Sequence, residues 1–216
     1  MKYPQLIYCY DAWCGWCYGF SSVIKKIAND YAPVLESEAL SGGMILPVNP
    51  VHIKATAQYI SEAYKEVEKL TGVKFGQDYL WHIFNPEKSD WYPDSLKPAI
   101  ALCAFKAYFP NQSISIAGDL QYALHYEGRD LTDDEAYRHL IEKYKIKPED
   151  FYNKLHSSEY EQLARQEFSM VQQLQVTGFP AVFIQTGELK FYMVARGYTD
   201  EETLRQRIDA VLNNNE

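Results

Sequence analysis

Hydrophobic and polar positions divide the chain into two strand-containing ends and a helical middle. Near the start, the apolar run QLIYCYD (5–11) predicts a buried strand. In YGFSSVIKKIANDY (18–31), apolar residues recur every three or four positions, which predicts an amphipathic helix. VLESEALSGGM (34–44) predicts a second strand that runs into a glycine turn. This end of the chain therefore has the order β-α-β.

The middle of the chain, residues 51–171, has almost purely helical periodicity. We expect one helix to end at Gly72, because glycine is favoured just after a helix C-terminus. A later helix is expected to begin at Thr132, with Glu135 as its capping-box partner. Further segments of the same periodicity lie between and after these two.

Strands return near the end of the chain. The segment 179–197 predicts two strands joined through Thr186-Gly187, and a final helix is expected to be capped by Thr199 or Asp200. This end therefore has the order β-β-α.

Neither strand-containing end could stand alone, because an isolated hairpin or βαβ unit leaves an apolar face open. We therefore expect residues 1–50 and 172–216 to share one sheet in a discontinuous α/β domain. Residues 51–171 would form a helical domain inserted as a lid.

Composition excludes several classes of protein. The chain has 216 residues, of which 47% are hydrophobic, and a net charge of −8. An acidic chain without a basic cluster is not expected to bind nucleic acid or anionic membranes. Its apolar runs are too short to span a bilayer, and its first residues do not resemble a secretory signal, so we expect a cytoplasmic protein.

The segment DAWCGWC carries the candidate chemistry. Cys14 should lie where the first strand ends and the first helix begins, and unpaired N–H groups at a helix start stabilise a thiolate. Cys17 follows one turn later, within reach of a disulfide. We expect Cys14 to be the exposed nucleophile and Cys17 to be the more buried resolving thiol. Trp13 and Trp16 flank the pair and could form an apolar surface for a substrate.

Other uses of this pair remain open. A disulfide across so short a loop would stabilise the fold little. Zinc needs four ligands, but the five histidines are scattered and no second cysteine pair is present, so we expect no metal. Packing of two small apolar side chains is the third alternative. Cys9 and Cys103 are expected to be buried small hydrophobic residues.

A distant segment, VTGFPAVFI, supports redox chemistry. It places Pro180 at the first residue of a strand, where proline is tolerated. A proline that faces a C-x-x-C pair is commonly cis, which exposes the preceding backbone for pairing with a substrate segment. The sequence does not decide between cis and trans.

Taken together, these motifs resemble the DsbA-like branch of the thioredoxin superfamily. DAWCGWCYGF is similar to the D-x-x-C-x-W-C-x-G signature of predicted protein-disulfide isomerases close to the FrnE-like proteins, and LHYEGRDLTDDE and RGYTDEETL resemble further segments of that branch. The resemblance implies a thioredoxin fold with a large helical insertion. It also implies that Cys14 and Cys17 are catalytic, that Pro180 is the cis-proline, and that the backbone of Phe179 pairs with substrate.

Two positions depart from the family pattern. Many members carry a buried carboxylate six residues before the first cysteine, where this chain has Tyr8. The dipeptide between the cysteines is Gly15-Trp16, without the proline or histidine of well-studied members. The redox potential is therefore not readable from the sequence.

The leading hypothesis is a thiol–disulfide oxidoreductase, similar to protein-disulfide isomerases, that works through a mixed disulfide. Its partner would be a protein or peptide with a disulfide or thiol, or glutathione as a co-substrate, with no other cofactor. One alternative is a glutathione-dependent enzyme of the kappa-class transferase or 2-hydroxychromene-2-carboxylate isomerase type. The other is a non-catalytic peptide-binding module. A monomer and a dimer are equally compatible with the sequence.

Overall fold

The computed structural model describes residues 4–214 and places four strands in one mixed sheet. The strands are β1 (Gln5–Tyr10), β2 (Glu36–Ser41), β3 (Ala181–Gly187) and β4 (Lys190–Arg196). Their order in the sheet is β2-β1-β3-β4; β1 and β2 are parallel, and the other two pairs are antiparallel. Both ends of the chain therefore share one sheet, as the apolar pattern predicts.

Within residues 4–214 the structure has nine α-helices, of which seven lie between β2 and β3. They are α1 (Gly15–Tyr31), α2 (Lys54–Thr71), α3 (Gln77–Phe84), α4 (Leu96–Lys106), α5 (Ser113–His125), α6 (Arg138–Lys143), α7 (Pro148–Leu155), α8 (Ser158–Gln173) and α9 (Glu201–Asn213). The order β-α-β, helical block, β-β-α is confirmed, although the sequence did not indicate α3. Across the part of the chain that the structure describes, no helix combines the length and apolar character needed to cross a bilayer.

One predicted helix start is wrong. Thr132 does not open a helix; its N–H and hydroxyl both donate to the Asp130 carboxylate. The next residue, Asp133, accepts from the N–H of Glu135 and opens a short 3₁₀ turn before α6. The residue that caps this turn is therefore Asp133, one position after the predicted Thr132. A carboxylate accepts strongly from the free N–H groups at a helix start.

At the end of the chain the last helix begins where the sequence predicts, but the hairpin turn does not. Asp200 caps α9 by accepting from the N–H of Thr203 at 2.9 Å. The hairpin turn lies later than predicted, because Gly187 is still in β3 and pairs with Lys190. The turn is therefore formed by Glu188-Leu189.

The sheet separates a large core from a small one. In β1, Leu6 and Tyr8 belong to the large core and Ile7 and Cys9 to the small one, since successive side chains point to opposite faces. The large core also includes buried residues of α1, α4 and α5. The strand-containing ends and the helical block thus share one apolar interior, while the domain limits at 50/51 and 171/172 stay predictions.

A partly buried ion cluster joins the helical block to β2. The Lys106 ammonium on α4 bridges the carboxylates of Glu38 on β2 and Glu167 on α8. The second oxygen of Glu167 accepts from the Ser41 N–H at 2.8 Å. One ammonium thus links carboxylates on two other elements, and the hydrogen bond from Ser41 satisfies the remaining oxygen of Glu167, as such a cluster requires to offset its desolvation. Cys103 also lies here, with its thiol 3.5 Å from Glu167.

Gly72 provides a test of the helix end. It follows α2 with φ 79°, and a Cβ there would meet nothing within 4 Å, so only backbone strain opposes a side chain. We expect Gly72→Ala to lower the free energy of unfolding by about 1 kcal/mol, measured by urea denaturation. The control is Gly178→Ala, which also has open space but no left-handed φ. Equal effects of both substitutions would contradict the strain argument.

Candidate functional site

Cys14 is the N-cap of α1. Its Sγ accepts from the Cys17 N–H at 3.2 Å, and its own N–H donates to the Asp11 carbonyl at 3.2 Å. The cysteine therefore lies at the junction between β1 and α1, as the sequence predicts. Unpaired N–H groups and the positive end of the helix dipole meet at its sulfur.

The two cysteines differ in burial. Cys17 is 0% exposed and Cys14 is 7% exposed, so the expected order holds, but the prediction of an exposed Cys14 is wrong. Its thiol lies under the turn before β3, 3.7 Å from the carbonyl oxygen of Phe179. Burial, followed by the hydrogen bond with Cys14, raises the pKa of Cys17 well above its usual value. The Cys17 thiol is therefore protonated near neutral pH.

The turn that carries Phe179 and Pro180 faces the cysteine pair. The peptide bond between them is cis. The Pro180 carbonyl accepts from the Gly197 N–H at 2.7 Å, which ties the turn to the end of β4. The Phe179 ring lies over Gly42, where an added Cβ would come within 2.0 Å of the ring carbon Cζ. Glycine at position 42 is therefore needed for the ring to occupy this place.

An apolar cavity of about 290 Å³ opens beside Cys14. Three of the sequence-predicted binding residues, Trp13, Trp16 and Phe179, line it together with Cys14, while Pro180 and Cys17 lie outside its wall. The remaining lining residues are Gly15, Met44, Ile45, Ile53, Thr56, Tyr59, Ile60, Ala63, Tyr64, Val67, Phe75, Tyr79 and Pro93. Most residues of this wall belong to the helical block, and the sequence analysis did not predict them. The apolar face of α2 was the feature of the sequence that could have indicated them.

The carboxylate of Asp11 organises the loop before Cys14. It is 1% exposed and accepts from the Trp13 N–H at 3.0 Å, the Met44 N–H at 2.7 Å and the Ser95 hydroxyl at 2.9 Å. Burial raises its pKa, while these hydrogen bonds act in the opposite direction. The indole N–H of Trp13 adds a bond to the Asp94 carbonyl at 2.9 Å. Three segments distant in sequence are thus tied together beside the cysteines.

Two side chains of helix α5 bond to the backbone of the loop before Cys14. The Gln121 amide donates to the Asp11 carbonyl at 3.3 Å, and the His125 Nε2 is 3.1 Å from the Ala12 carbonyl. Since a carbonyl only accepts, Nε2 carries the proton. His125 is fully buried among the rings of Tyr18, Phe75 and Tyr79, and this burial lowers its pKa to about 3. The imidazole is therefore neutral near pH 7.

Tyr8 lies six residues before Cys14, where the resemblance implies a buried carboxylate in many members. Its side chain is buried against Tyr10 and Phe20, and its hydroxyl is 3.5 Å from the Cys17 carbonyl oxygen. Burial, with the nearby Cys17 as a lesser cause, raises the pKa of this phenol well above its usual value. A neutral hydroxyl thus lies beneath Cys17, and the nearby Asp11 is occupied by its three donors.

No cluster of three or more potential metal ligands occurs within residues 4–214. The four cysteines are free thiols. Burial raises the pKa of Cys9 to about 12 and also raises that of Cys103, so both stay protonated near neutral pH. These two cysteines are buried, as the sequence predicts.

A mixed sheet of this order, with a C-x-x-C pair at the start of α1 and a cis-proline turn facing it, defines a thioredoxin-fold protein. Residues 5–209 match the model of the DSBA-like thioredoxin domain. The chain therefore belongs to this family of thiol–disulfide oxidoreductases, and the predicted fold is confirmed.

Solved structures support the assignment of the fold. A protein from Nitrosomonas europaea, a candidate protein disulfide isomerase, is 25% identical with a TM-score of 0.85, and 99% of each chain is covered. The cytosolic disulfide reductase DsbM from Pseudomonas aeruginosa is 22% identical with a TM-score of 0.77, over 97% of this chain and 99% of that one. A 2-hydroxychromene-2-carboxylate isomerase, 13% identical, has a TM-score of 0.63 over 97% and 95% of the two chains. Among curated proteins, none matches this chain.

His125 makes stability depend on pH. Its folded pKa of about 3 lies below the ordinary 6.5, so the stabilisation is complete above pH 6.5 and is lost as pH falls toward 3. We expect the native protein to lose about 2–3 kcal/mol from this group between pH 7.5 and 4.5. In His125→Gln this component disappears, because glutamine does not titrate. Urea denaturation of both proteins at the two pH values measures the difference, and parallel losses would contradict a buried neutral His125.

Proposed function

We propose that this protein is a thiol–disulfide exchange enzyme in which Cys14 is the nucleophile and Cys17 the resolving thiol. The observation that carries the proposal is the placement of the two sulfurs. Cys14 Sγ accepts an N–H bond at the start of α1, and Cys17 lies fully buried behind it. The first sulfur lies at a helix N-terminus beside the cavity, where a substrate can approach it, and burial keeps the second sulfur protonated.

In the first step, the Cys14 thiolate attacks one sulfur of a substrate disulfide. The substrate S–S bond breaks, an enzyme–substrate S–S bond forms, and the other substrate sulfur leaves as a thiolate that takes up a proton. Trp13, Trp16 and Phe179 are proposed to contact the substrate, since they line the cavity beside Cys14. The backbone of Phe179, next to Pro180, is proposed to pair with the substrate chain.

In the second step, Cys17 gives up its proton and attacks Cys14 Sγ. The mixed disulfide breaks, the second substrate thiol leaves, and an enzyme disulfide remains, so two electrons have passed to the substrate. In isomerisation a substrate thiolate attacks the mixed disulfide instead and releases Cys14. The neutral Tyr8 beneath Cys17 supplies no carboxylate base, so we propose that the leaving thiolate or solvent takes the proton.

Net reduction of substrates needs a thiol that reduces the Cys14–Cys17 disulfide. We propose glutathione for this role: two molecules become one glutathione disulfide, and the enzyme returns to its dithiol form. A structure of DsbM is described with glutathione, which supports a thiol partner of this kind. We also propose a cytoplasmic location, where such a reductant is abundant. The fold likeness to the cytosolic DsbM accords with this location.

Cysteine variants test the assigned roles. We expect Cys14→Ser to abolish insulin reduction by glutathione, because serine cannot form a mixed disulfide. We expect Cys17→Ser to trap a covalent complex with substrate, visible by mass spectrometry, because the resolving sulfur is missing.

The matched controls are Cys9→Ser and Cys103→Ser, which replace buried thiols outside the cavity. Both should keep the exchange activity once folding is verified by circular dichroism. Full activity of Cys14→Ser would refute the proposed nucleophile.

Gly42 tests the position of the Phe179 ring. A Cβ at position 42 would overlap this ring, so Gly42→Ala must displace it from the cavity wall. We expect kcat/KM for insulin reduction to fall about tenfold or more, since small misplacements near the reacting atoms are costly. Gly118→Ala, on α5, is the control, because its Cβ would make only an ordinary 3.7 Å contact with Ser21. Unchanged kinetics in Gly42→Ala would show that the ring does not position the substrate.

A further inference from the structure

We propose that the cavity beside Cys14 binds an uncharged apolar group, aromatic or branched aliphatic, that the substrate carries next to its reacting sulfur. This inference rests on the proposed function and names the substrate class for the same site. Cys14 is part of the cavity wall, and its sulfur lies 3.7 Å from the Phe179 carbonyl. A group in the cavity would therefore be only a few bonds from the sulfur under attack.

The chemistry of the wall selects against charge. Among the described residues that line the cavity, none is an acid, a lysine, an arginine or a histidine. Two of the polar groups are already used within the protein: the Trp13 indole N–H donates to Asp94, and the Thr56 hydroxyl donates to Ile53. A carboxylate or ammonium that entered would lose its hydration without gaining an opposite charge.

The size of the cavity sets a second limit. A dry cavity of about 150 Å³ holds a benzene ring, and whole small-molecule sites measure about 300–1,000 Å³. The observed 290 Å³ therefore suits one ring or one large aliphatic side chain with some room to spare. Glutathione carries two carboxylates and one ammonium, so its charged parts must lie outside this cavity.

Helix α2 forms part of the cavity wall. Ile60, Ala63 and Val67 line it from one face of α2, at the three- and four-residue spacing that places side chains above one another. Ala63 is the smallest of the three, so a larger side chain there would occupy the space that we assign to the substrate. Ala55 is on the same helix but exposed, outside the wall.

The test uses three disulfide-bonded peptides that are identical except for Phe, Gln or Glu beside the cysteine. We expect kcat/KM for the Phe peptide to exceed that for the Gln peptide by about tenfold or more, the effect of burying one aromatic side chain. The ratio of Phe to Gln decides, because the net charge of −8 disfavours the Glu peptide at long range as well. Ala63→Phe should reduce this ratio to near one, and Ala55→Phe should leave it unchanged.

A binding measurement keeps this inference separate from the proposed function. In a Cys14→Ser, Cys17→Ser protein, calorimetry with the same peptides carrying serine for cysteine should show tighter binding of the Phe peptide. Equal kcat/KM for Phe and Gln peptides in an active enzyme would overturn the inference and leave the exchange activity standing. If the protein catalysed no exchange, the proposed function would fail and the binding measurement would still decide the cavity.

A second variant covers the case in which Ala63→Phe does not fold. Ile60→Ala enlarges the same cavity, and we expect it to shift the preference from a Phe peptide toward a Trp peptide. An unchanged preference in a folded Ile60→Ala protein would also overturn the inference.

Discussion

The buried carboxylate of Asp11 is the constraint on which the rest of the site depends. It lies between the end of β1 and the first cysteine, and it accepts from the loop itself, from Met44 after β2 and from Ser95 at the start of α4. Ser95 also accepts from the N–H of Ile45, which lines the cavity, so the same group of hydrogen bonds holds this part of the cavity wall. The hydrogen bonds to Asp11 replace part of the hydration that burial removes from this carboxylate. The hydrogen bonds to Asp11 and Ser95 fix the position of Cys14 relative to the cavity.

The helical block is therefore more than a lid over the sheet. Gln121 and His125 of α5 bond to the backbone carbonyls of Asp11 and Ala12, directly before the cysteine pair. The imidazole stays neutral because rings surround it, and a neutral imidazole can donate to a carbonyl without the cost of a buried charge. The block that supplies most of the cavity wall thus also holds the loop before Cys14 in place.

The site combines an apolar cavity with a polar support beneath it. Cys14 lies at the boundary, with an N–H bond from the helix on one side and the apolar cavity on the other. Cys17 and Tyr8 lie deeper, where desolvation keeps a thiol and a phenol neutral. This difference in position is the basis of the proposed order, in which Cys14 attacks first and Cys17 second.

The sequence by itself determined the element order and the place of the C-x-x-C pair in the fold. Periodicity is a local property, so it located β1, α1, the hairpin strands and the last helix, and C-x-x-C at a strand-to-helix junction indicated redox chemistry without any contact map. The residue that caps the turn before α6 was predicted wrongly, because two neighbouring side chains can each accept at such a position. Asp133, not Thr132, caps this turn.

Only the tertiary structure decided what surrounds the cysteines. Asp11, Ser95 and His125 are separated by up to 114 positions in the chain. No local pattern shows that Ser95 bonds to the Asp11 carboxylate or that His125 bonds to the Ala12 carbonyl. The burial of Cys14 and the uncharged wall from α2 likewise arise from packing between distant segments. Local spacing sets which face of a helix is apolar, but the partner of that face depends on how the whole chain closes around its core.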